Sequence, residues 1–303
     1  MQYIKGIDAF REEKRTAVTL GKFDGLHRGH QKLIEKIRSY AGNDCVSVVC
    51  AFDMQRSCLM TKEERKKLLA GKVDYLIDYP FTGDLMTMEA ERFIQKILYE
   101  KLHAAHIVVG SDFSFGYRKR GDHQMLERYA QKYDYTVDVV EKARLGDREI
   151  SSTYIREMLA DGNIRKANDL LGYCYFVTGK VEHGNAIGHT KLYPTANLIP
   201  PAVKHLPKFG VYVTRVTVDG KVYGGLTNVG AKPTISRDNP IGVETYLYDF
   251  SGDLYGKEMK VELLDFVRPE MKFASIDALK AQLDHDIREC RERYHSFQKS
   301  HLG

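Results

Sequence analysis

Thr16-Ala17-Val18-Thr19-Leu20-Gly21-Lys22-Phe23-Asp24-Gly25-Leu26-His27-Arg28-Gly29-His30 is the stretch on which the fold turns. Thr16 to Gly21 reads as a strand, and after His30 the apolar residues Leu33, Ile34, Ile37 and Tyr40 recur at helical spacing. A strand that feeds a helix N-terminus is a natural phosphate site, because unpaired N–H groups and the helix dipole both favour an anion. His27 and His30, three apart, share a helix face near its start, and Gly29 puts no side chain in the way of a close phosphate. Two imidazoles so placed donate to phosphate oxygens as charge moves onto a leaving group. A zinc pair is one competing reading, but no third ligand sits at a suitable spacing. Plain surface histidines are another; the preceding strand and the glycines on both sides favour phosphate chemistry.

Val46 to Phe52, Val73 to Tyr79, His106 to Gly110 and Thr136 to Val140 also read as strands. Amphipathic segments separate them. Thr61 with Glu64 three residues on is a capping box, and Gly71 closes that helix. Met88 to Leu102 and Gln124 to Tyr133 are two further helices. Alternation of this kind predicts βαβ units and a mostly parallel sheet. Gly110-Ser111-Asp112-Phe113-Ser114-Phe115-Gly116 follows the fourth strand, at the sheet edge where open α/β folds bind ligands. Arg118, Lys119 and Arg120 come next, a solvated loop by themselves and a triphosphate clamp beside a phosphate site. Ile150-Ser151-Ser152-Thr153-Tyr154-Ile155-Arg156 opens another helix and, by itself, reads as a plain hydroxyl N-cap.

The pattern then changes. From Tyr173 to Arg268 helical periodicity disappears while Gly, Pro and β-branched residues concentrate. Val211 to Val218, Asp219-Gly220 and Lys221 to Thr227 form a strong hairpin signal. Val243 to Phe250 and Glu258 to Phe266 add strands, so a small β-barrel is expected, followed by a charged helix from about Asp277 to Tyr294. The boundary falls between Asp161 and Gly172, dividing the chain into 1–165 and 166–303. In the second half Tyr193-Pro194-Thr195-Ala196-Asn197 follows glycines at 179, 184 and 188. Glycine-rich backbone wraps a phosphate chain, and Thr195 and Asn197 carry neutral oxygens suited to Mg²⁺; without context the same residues are a turn. No G-x-x-x-x-G-K-[ST] occurs. Alternation sets Glu244 on the face opposite Val243, Thr245 and Leu247, beside Tyr246, Tyr248 and Phe250. A glutamate there is either solvent-exposed or a general base toward a hydroxyl, and the sequence leaves both open.

Composition bounds the rest. With 303 residues, 43% hydrophobic and 29% charged, the chain is an ordinary globular protein of about two domains, which excludes disordered, collagen-like and coiled-coil classes. No run approaches the ~18 apolar residues of a membrane span. Met1 to Arg15 is charged and lacks an apolar signal core, so the cytoplasm is expected. Five scattered cysteines, Cys45, Cys50, Cys58, Cys174 and Cys290, form no disulfide framework and no C-x-x-C pair. The net charge of +5 suits phosphorylated small molecules better than nucleic acid.

Together these segments resemble the bacterial bifunctional riboflavin kinase and FMN adenylyltransferase family, also called FAD synthetase. The resemblance runs over nearly the whole chain and rests on Gly21 to His30, Asp112 to Gly116, Ile150 to Arg156, Pro194 to Asn197, Asn228 to Thr234, Phe250 to Gly256 and Arg268-Pro269-Glu270-Met271-Lys272-Phe273. It implies a Rossmann-like nucleotidylyltransferase domain followed by an antiparallel β-barrel kinase domain with a terminal helix. It also implies phosphorylation of riboflavin to FMN, then adenylylation of FMN to FAD, with ATP as co-substrate, Mg²⁺, and no tightly bound prosthetic group. By that resemblance His27 and His30 stabilise charge in adenylyl transfer. Gly21, Phe23, Asp24, Gly29, Asp112, Ser152, Thr153, Arg156, Gly179, Gly184 and Gly188 serve ATP phosphates. Phe113, Asn228 and Arg268 contact flavin, Thr195 and Asn197 hold Mg²⁺, and Glu244 takes the hydroxyl proton. The expected partners are riboflavin, FMN, FAD and ATP, with neither nucleic acid nor membrane. Two departures stand out. Ala51-Phe52-Asp53-Met54-Gln55-Arg56 lacks the family's proline pair, and His189 and Leu192 stand where the family commonly has Arg and Gly. The rival readings are a kinase with a degenerate first half, a non-catalytic flavin- or RNA-binding module, and a different nucleotidylyltransferase.

Overall fold

The structure, a computed structural model, describes residues 1–42, 44–53, 57–182, 193–231 and 241–301. Backbone contacts divide the chain into Met1–Ser152 and Thr153–Gly303.

The first unit runs β1 (Gln2–Lys5), β2 (Arg15–Gly21), α1 (Arg28–Tyr40), β3 (Cys45–Asp53), α2 (Lys62–Leu69), β4 (Tyr75–Pro80), α3 (Asp84–Thr87), α4 (Ala90–Phe93), β5 (Ala104–Gly110), β6 (Ser114–Phe115), β7 (Gly121–Asp122), α5 (His123–Tyr133), β8 (Thr136–Val140), β9 (Arg144–Leu145) and β10 (Arg148–Glu149). Six strands form one parallel sheet in the order β1-β4-β3-β2-β5-β8. Both faces are buried, as near-continuous apolar strands require. Val18, Leu20, Val48, Cys50, Ile77, Ile107 and Val109 pack with Phe93, Ile94, Ile97, Leu98 and Leu126. On the alternate residues Ala17, Val49, Ala51, Leu76 and Val108 are sealed, and α1 lies along β2, β3 and β5. From β2 the chain moves to β3 on one side; from β5 it moves to β8 on the other. The crevice beyond Gly21 and Gly110 is therefore the switch point of the sheet, where open α/β folds hold ligands.

The expected strands and helices of this half all form. The segment expected as one helix over Met88–Leu102 is α4 followed by a π-helical stretch, Ile94–Tyr99. Edge strand β1 and the two-residue ribbons β6–β7 and β9–β10 are additions that no periodicity over so few residues reveals.

The second unit follows α6 (Ser152–Asp161), which opens at the division, with α7 (Ile164–Leu171), β11 (Phe176–Lys180), β12 (Ala196–Leu198), β13 (Gly210–Val218), β14 (Lys221–Ala231), β15 (Ile241–Leu247), β16 (Glu258–Pro269) and α8 (Ile276–His301). Its strands pair antiparallel in the order β11-β16-β13-β14-β15-β12. A bridge between Glu182 and Asn197 brings the two end strands together, so the sheet closes as a barrel. Asp219 and Gly220 both have positive φ, the geometry a two-residue hairpin turn needs. Inside the barrel the hydroxyls of Thr214, Thr227 and Thr245 bond in series at 2.9 Å each. On the outer face Val211, Val213, Leu226 and Leu264 pack with Cys290 and Tyr294 of α8. Gly224 permits that approach: a Cβ there would lie 2.6 Å from the Tyr294 ring.

Candidate active sites

In the first unit the β2–α1 connection is held in an uncommon conformation. Phe23, Gly25 and Leu26 all have positive φ, which for phenylalanine and leucine is strained. Asp24 anchors the loop by accepting from the amides of Leu59 (2.7 Å) and Met60 (3.4 Å). Ser152 donates its hydroxyl to the Asp24 carbonyl at 2.8 Å. Phe23 is fully buried, 5.0 Å from the His30 ring. Helix α1 begins at Arg28, so His27 is its N-cap rather than a residue of its face, and His30 is the third helical residue. The His30 amide donates to His27 Nδ1 at 3.4 Å, which leaves the neutral His27 proton on Nε2. The two rings stack at 3.7 Å, 18° from parallel. Gly29 accommodates the fold-back, since a Cβ there would lie 3.2 Å from the His27 ring.

Burial pushes His27 down to about 4, against opposing pulls from a backbone hydrogen bond and then from Asp112. Burial also holds His30 well below the ordinary histidine value, and a charge on His27 would lower it further. Both rings are thus neutral at pH 7 and present N–H donors rather than fixed charges. They sit at the N-terminal end of α1, an arrangement fitted to an anion that develops charge.

Asp112 follows β5 at the same crevice and pairs with Lys142 at 3.2 Å, which also holds Glu149 at 2.8 Å. Phe113 stacks on Phe115 at 5.6 Å. Arg118 lies over the Tyr117 ring at 5.1 Å, and Arg120 is 3.6 Å from Glu89. Thr153 and Arg156 follow Ser152 on α6, past the division between the units. Sequence reasoning missed an aromatic group at the ends of β3 and β4. Phe52 lies 6.2 Å from Tyr79 and 6.0 Å from Phe81, all half-buried against the same core as Phe113. Phe81 just past a strand end was the available signal. Met54, Gln55 and Arg56 lie outside the described residues.

In the second unit the strand register gathers the candidates. Asn197 of β12 pairs with Glu244 of β15, Glu244 with Asn228 of β14, Asn228 with Val211 of β13, and Val211 with Arg268 of β16. Directly opposed residues share a face, with Cβ atoms ~4.5–5.5 Å apart for each pair. Five residues distant in sequence therefore form one row on the barrel's outer face. Glu244 is half-buried and Asn197 buried, with Val243, Thr245 and Leu247 turned inward as alternation required. Asn197 donates its amide to the Thr195 carbonyl at 3.4 Å.

Helix α8 is fastened at both margins of this row. Arg268 makes a bidentate pair with the fully buried Asp286, Nε donating to Oδ1 at 3.1 Å and Nη2 to Oδ2 at 2.6 Å. Its guanidinium is thereby committed to α8. Tyr193 donates its hydroxyl to Asp284 at 2.5 Å, and its ring lies 5.1 Å from Tyr246. Gly179 pairs with Met259 in β11, its Cβ position 3.8 Å from Leu198 at the barrel seam. Gly184, Gly188, His189, Leu192 and the end of the Asn228 to Thr234 segment lie outside the described residues.

A family model for FAD synthetase matches residues 9–154, and one for riboflavin kinase matches residues 171–294. The bifunctional riboflavin kinase/FMN adenylyltransferase of Pseudomonas fluorescens is 33% identical over 303 residues, covering 96% of this chain and 97% of that protein. The protein of the same name from Listeria monocytogenes serovar 1/2a is 32% identical over 287 residues, covering 90% and 91%. A Streptococcus pneumoniae crystal structure described as a macrolide-efflux protein shares the fold, with a TM-score of 0.84 and 31% identity over 96% of this chain and 98% of that one. In this chain no helix among the described residues is long and apolar enough to cross a membrane. Identity at this level, across both units and nearly the full length of each relative, means that the chain belongs to the bifunctional riboflavin kinase/FMN adenylyltransferase family.

Proposed function

We propose that the chain converts riboflavin and ATP to FMN on the barrel, residues 166–303, and FMN and a second ATP to FAD and pyrophosphate on residues 1–165. The observation that carries this reading is the presence, in one chain spanning the family's length, of two separate polar constellations. One is a neutral imidazole pair at a switch-point helix start; the other is a carboxylate flanked by amides on a sheet face.

For the kinase step Glu244 accepts the proton as the ribityl oxygen bonds to the γ-phosphorus and the bond to ADP breaks. Asn228 orients the flavin, and Arg268 acts by holding α8 against the row. Among the described residues no trio of histidine, cysteine and carboxylate gathers for a metal. The hydroxyl of Thr195 and the side-chain amide oxygen of Asn197 nevertheless suit Mg²⁺, which takes few protein ligands and leans on substrate phosphates. When bound it would neutralise phosphate charge.

For adenylyl transfer the FMN phosphate attacks the α-phosphorus of ATP, and the departing pyrophosphate gathers charge. His27 Nε2–H, the His30 ring and the α1 amides donate to those oxygens. Ser152, whose hydroxyl already holds the Asp24 carbonyl, contacts ATP phosphates, while Phe113 with Phe52 and Phe81 supplies an apolar wall for the flavin ring. Neither step needs a covalent enzyme intermediate; positioning and electrostatics carry both. Consumption of ATP at both steps fits a cytoplasmic enzyme.

The test is incubation of purified protein with riboflavin, ATP and Mg²⁺, followed by chromatographic separation of flavins. FMN should appear first and FAD after it. FMN accumulating with no FAD, even when FMN is supplied, would confine the activity to the barrel.

A further inference from the structure

Asp78 and Arg65 form a buried ion pair that neither reaction above uses. Asp78 lies on β4 in the same cross-strand row as Ala51 and Gly21, and is 4% exposed. Arg65, on α2, is 7% exposed. One arm of its guanidinium donates to Asp78 Oδ1 at 2.6 Å, and the other reaches the Lys22 carbonyl at 3.4 Å. Lys62 (3.0 Å) and the Tyr3 hydroxyl (3.1 Å) take Asp78 Oδ2. Buried pairs add little net stability over a well-packed apolar substitute, so holding the fold together is a weak reason for this one. What it reaches is more informative. Lys22 leads into Phe23, Gly25 and Leu26, the positive-φ residues that deliver the chain to His27. The strain at Phe23 and Leu26 persists only where the surroundings over-determine it. The approach to α2 grips the same loop a second time, through the Leu59 and Met60 amides on Asp24.

We propose that Arg65 is a positioning residue for adenylyl transfer: anchored on Asp78, its guanidinium fixes the Lys22 carbonyl and, through the strained loop, the placement of His27 and His30. The inference rests on the adenylyl-transfer reading of that loop. Arg65→Lys keeps a positive charge for Asp78, but an ammonium on a flexible stem does not reproduce a rigid two-armed fork. Arg65→Met removes the charge and leaves Asp78 paired with Lys62.

In the full-length enzyme both substitutions should lower kcat for FAD formation from supplied FMN by about 10–100-fold, since small displacements of reacting groups are costly. KM for FMN and ATP should stay within about threefold, as expected when only transition-state contacts are lost. FMN formation from riboflavin in the same preparations should equal wild type. Near-wild-type kcat in Arg65→Lys overturns the proposal, because a purely structural cation would be replaced by lysine. So does a parallel fall of both activities with a lowered thermal midpoint in Arg65→Lys. A wild-type preparation that makes no FAD from FMN removes the underlying reading instead, before any variant is compared.

Discussion

His27 shows how much one residue's setting adds to its identity. The sequence placed it beside a helix start with glycines around it, and that much of the site was legible. Its stacking on His30 and its loss of basicity were not, because they depend on Phe23 packing beneath and on Gly29 letting the ring fold back. Burial has a consequence for acid tolerance. Unfolded, His27 binds a proton below about 6.5; folded, it does so only below about 4. Between those values the unfolded chain holds more protons, so stability is fully present above the upper value and lost as pH falls through the window. On the order of 3 kcal/mol is at stake for His27. Thermal unfolding of the full chain should show the first unit weakening from pH 7 to pH 5, and His27→Gln should blunt that loss. An unchanged pH dependence in the variant would place the acid sensitivity elsewhere.

At the scale of elements, alternation along β15 set Glu244 on the face opposite Val243, Thr245 and Leu247, yet it said nothing of whether that face lies inside or outside the barrel or of which strands flank it. Register supplied Asn197 on one side and Asn228 on the other, and pairing partners are set by the closure of the whole barrel. The π-helical winding after α4 was equally hidden, since a π turn and an α turn share an apolar stripe over so short a span. The row makes a definite statement about Glu244. Glu244→Gln keeps shape and hydrogen bonding and removes basicity, so FMN formation should drop by ~10²–10⁴. Riboflavin and ATP binding should persist, and FAD formation from supplied FMN should be untouched. A glutamine variant with wild-type kinase rate would reduce Glu244 to a surface residue.

At the scale of the whole molecule, both halves and their order were legible because βαβ alternation and hairpin spacing write different patterns. The extent of α8 beyond Tyr294 and the fastening of Arg268 to Asp286 were not, since both arise from tertiary packing. FMN is product of one reaction and substrate of the other, so two defective chains should repair each other. His27→Ala/His30→Ala should stall at FMN, each lost donor typically costing ~10²–10³ in rate. Glu244→Gln should stall at riboflavin. Mixed, they should carry riboflavin through to FAD; a mixture that stops at FMN would mean the intermediate is not released to solvent. The barrel seam has its own consequence. Long ladders such as β13 with β14 shelter their amides, whereas β12 has three residues and meets the β11 side, among the described residues, at the bridge where the Glu182 amide donates to the Asn197 carbonyl at 2.8 Å. In deuterated water that amide should exchange among the earliest of the described barrel, so the ring breathes at the residue pair that carries Asn197, and nucleotide held there would act as its clasp.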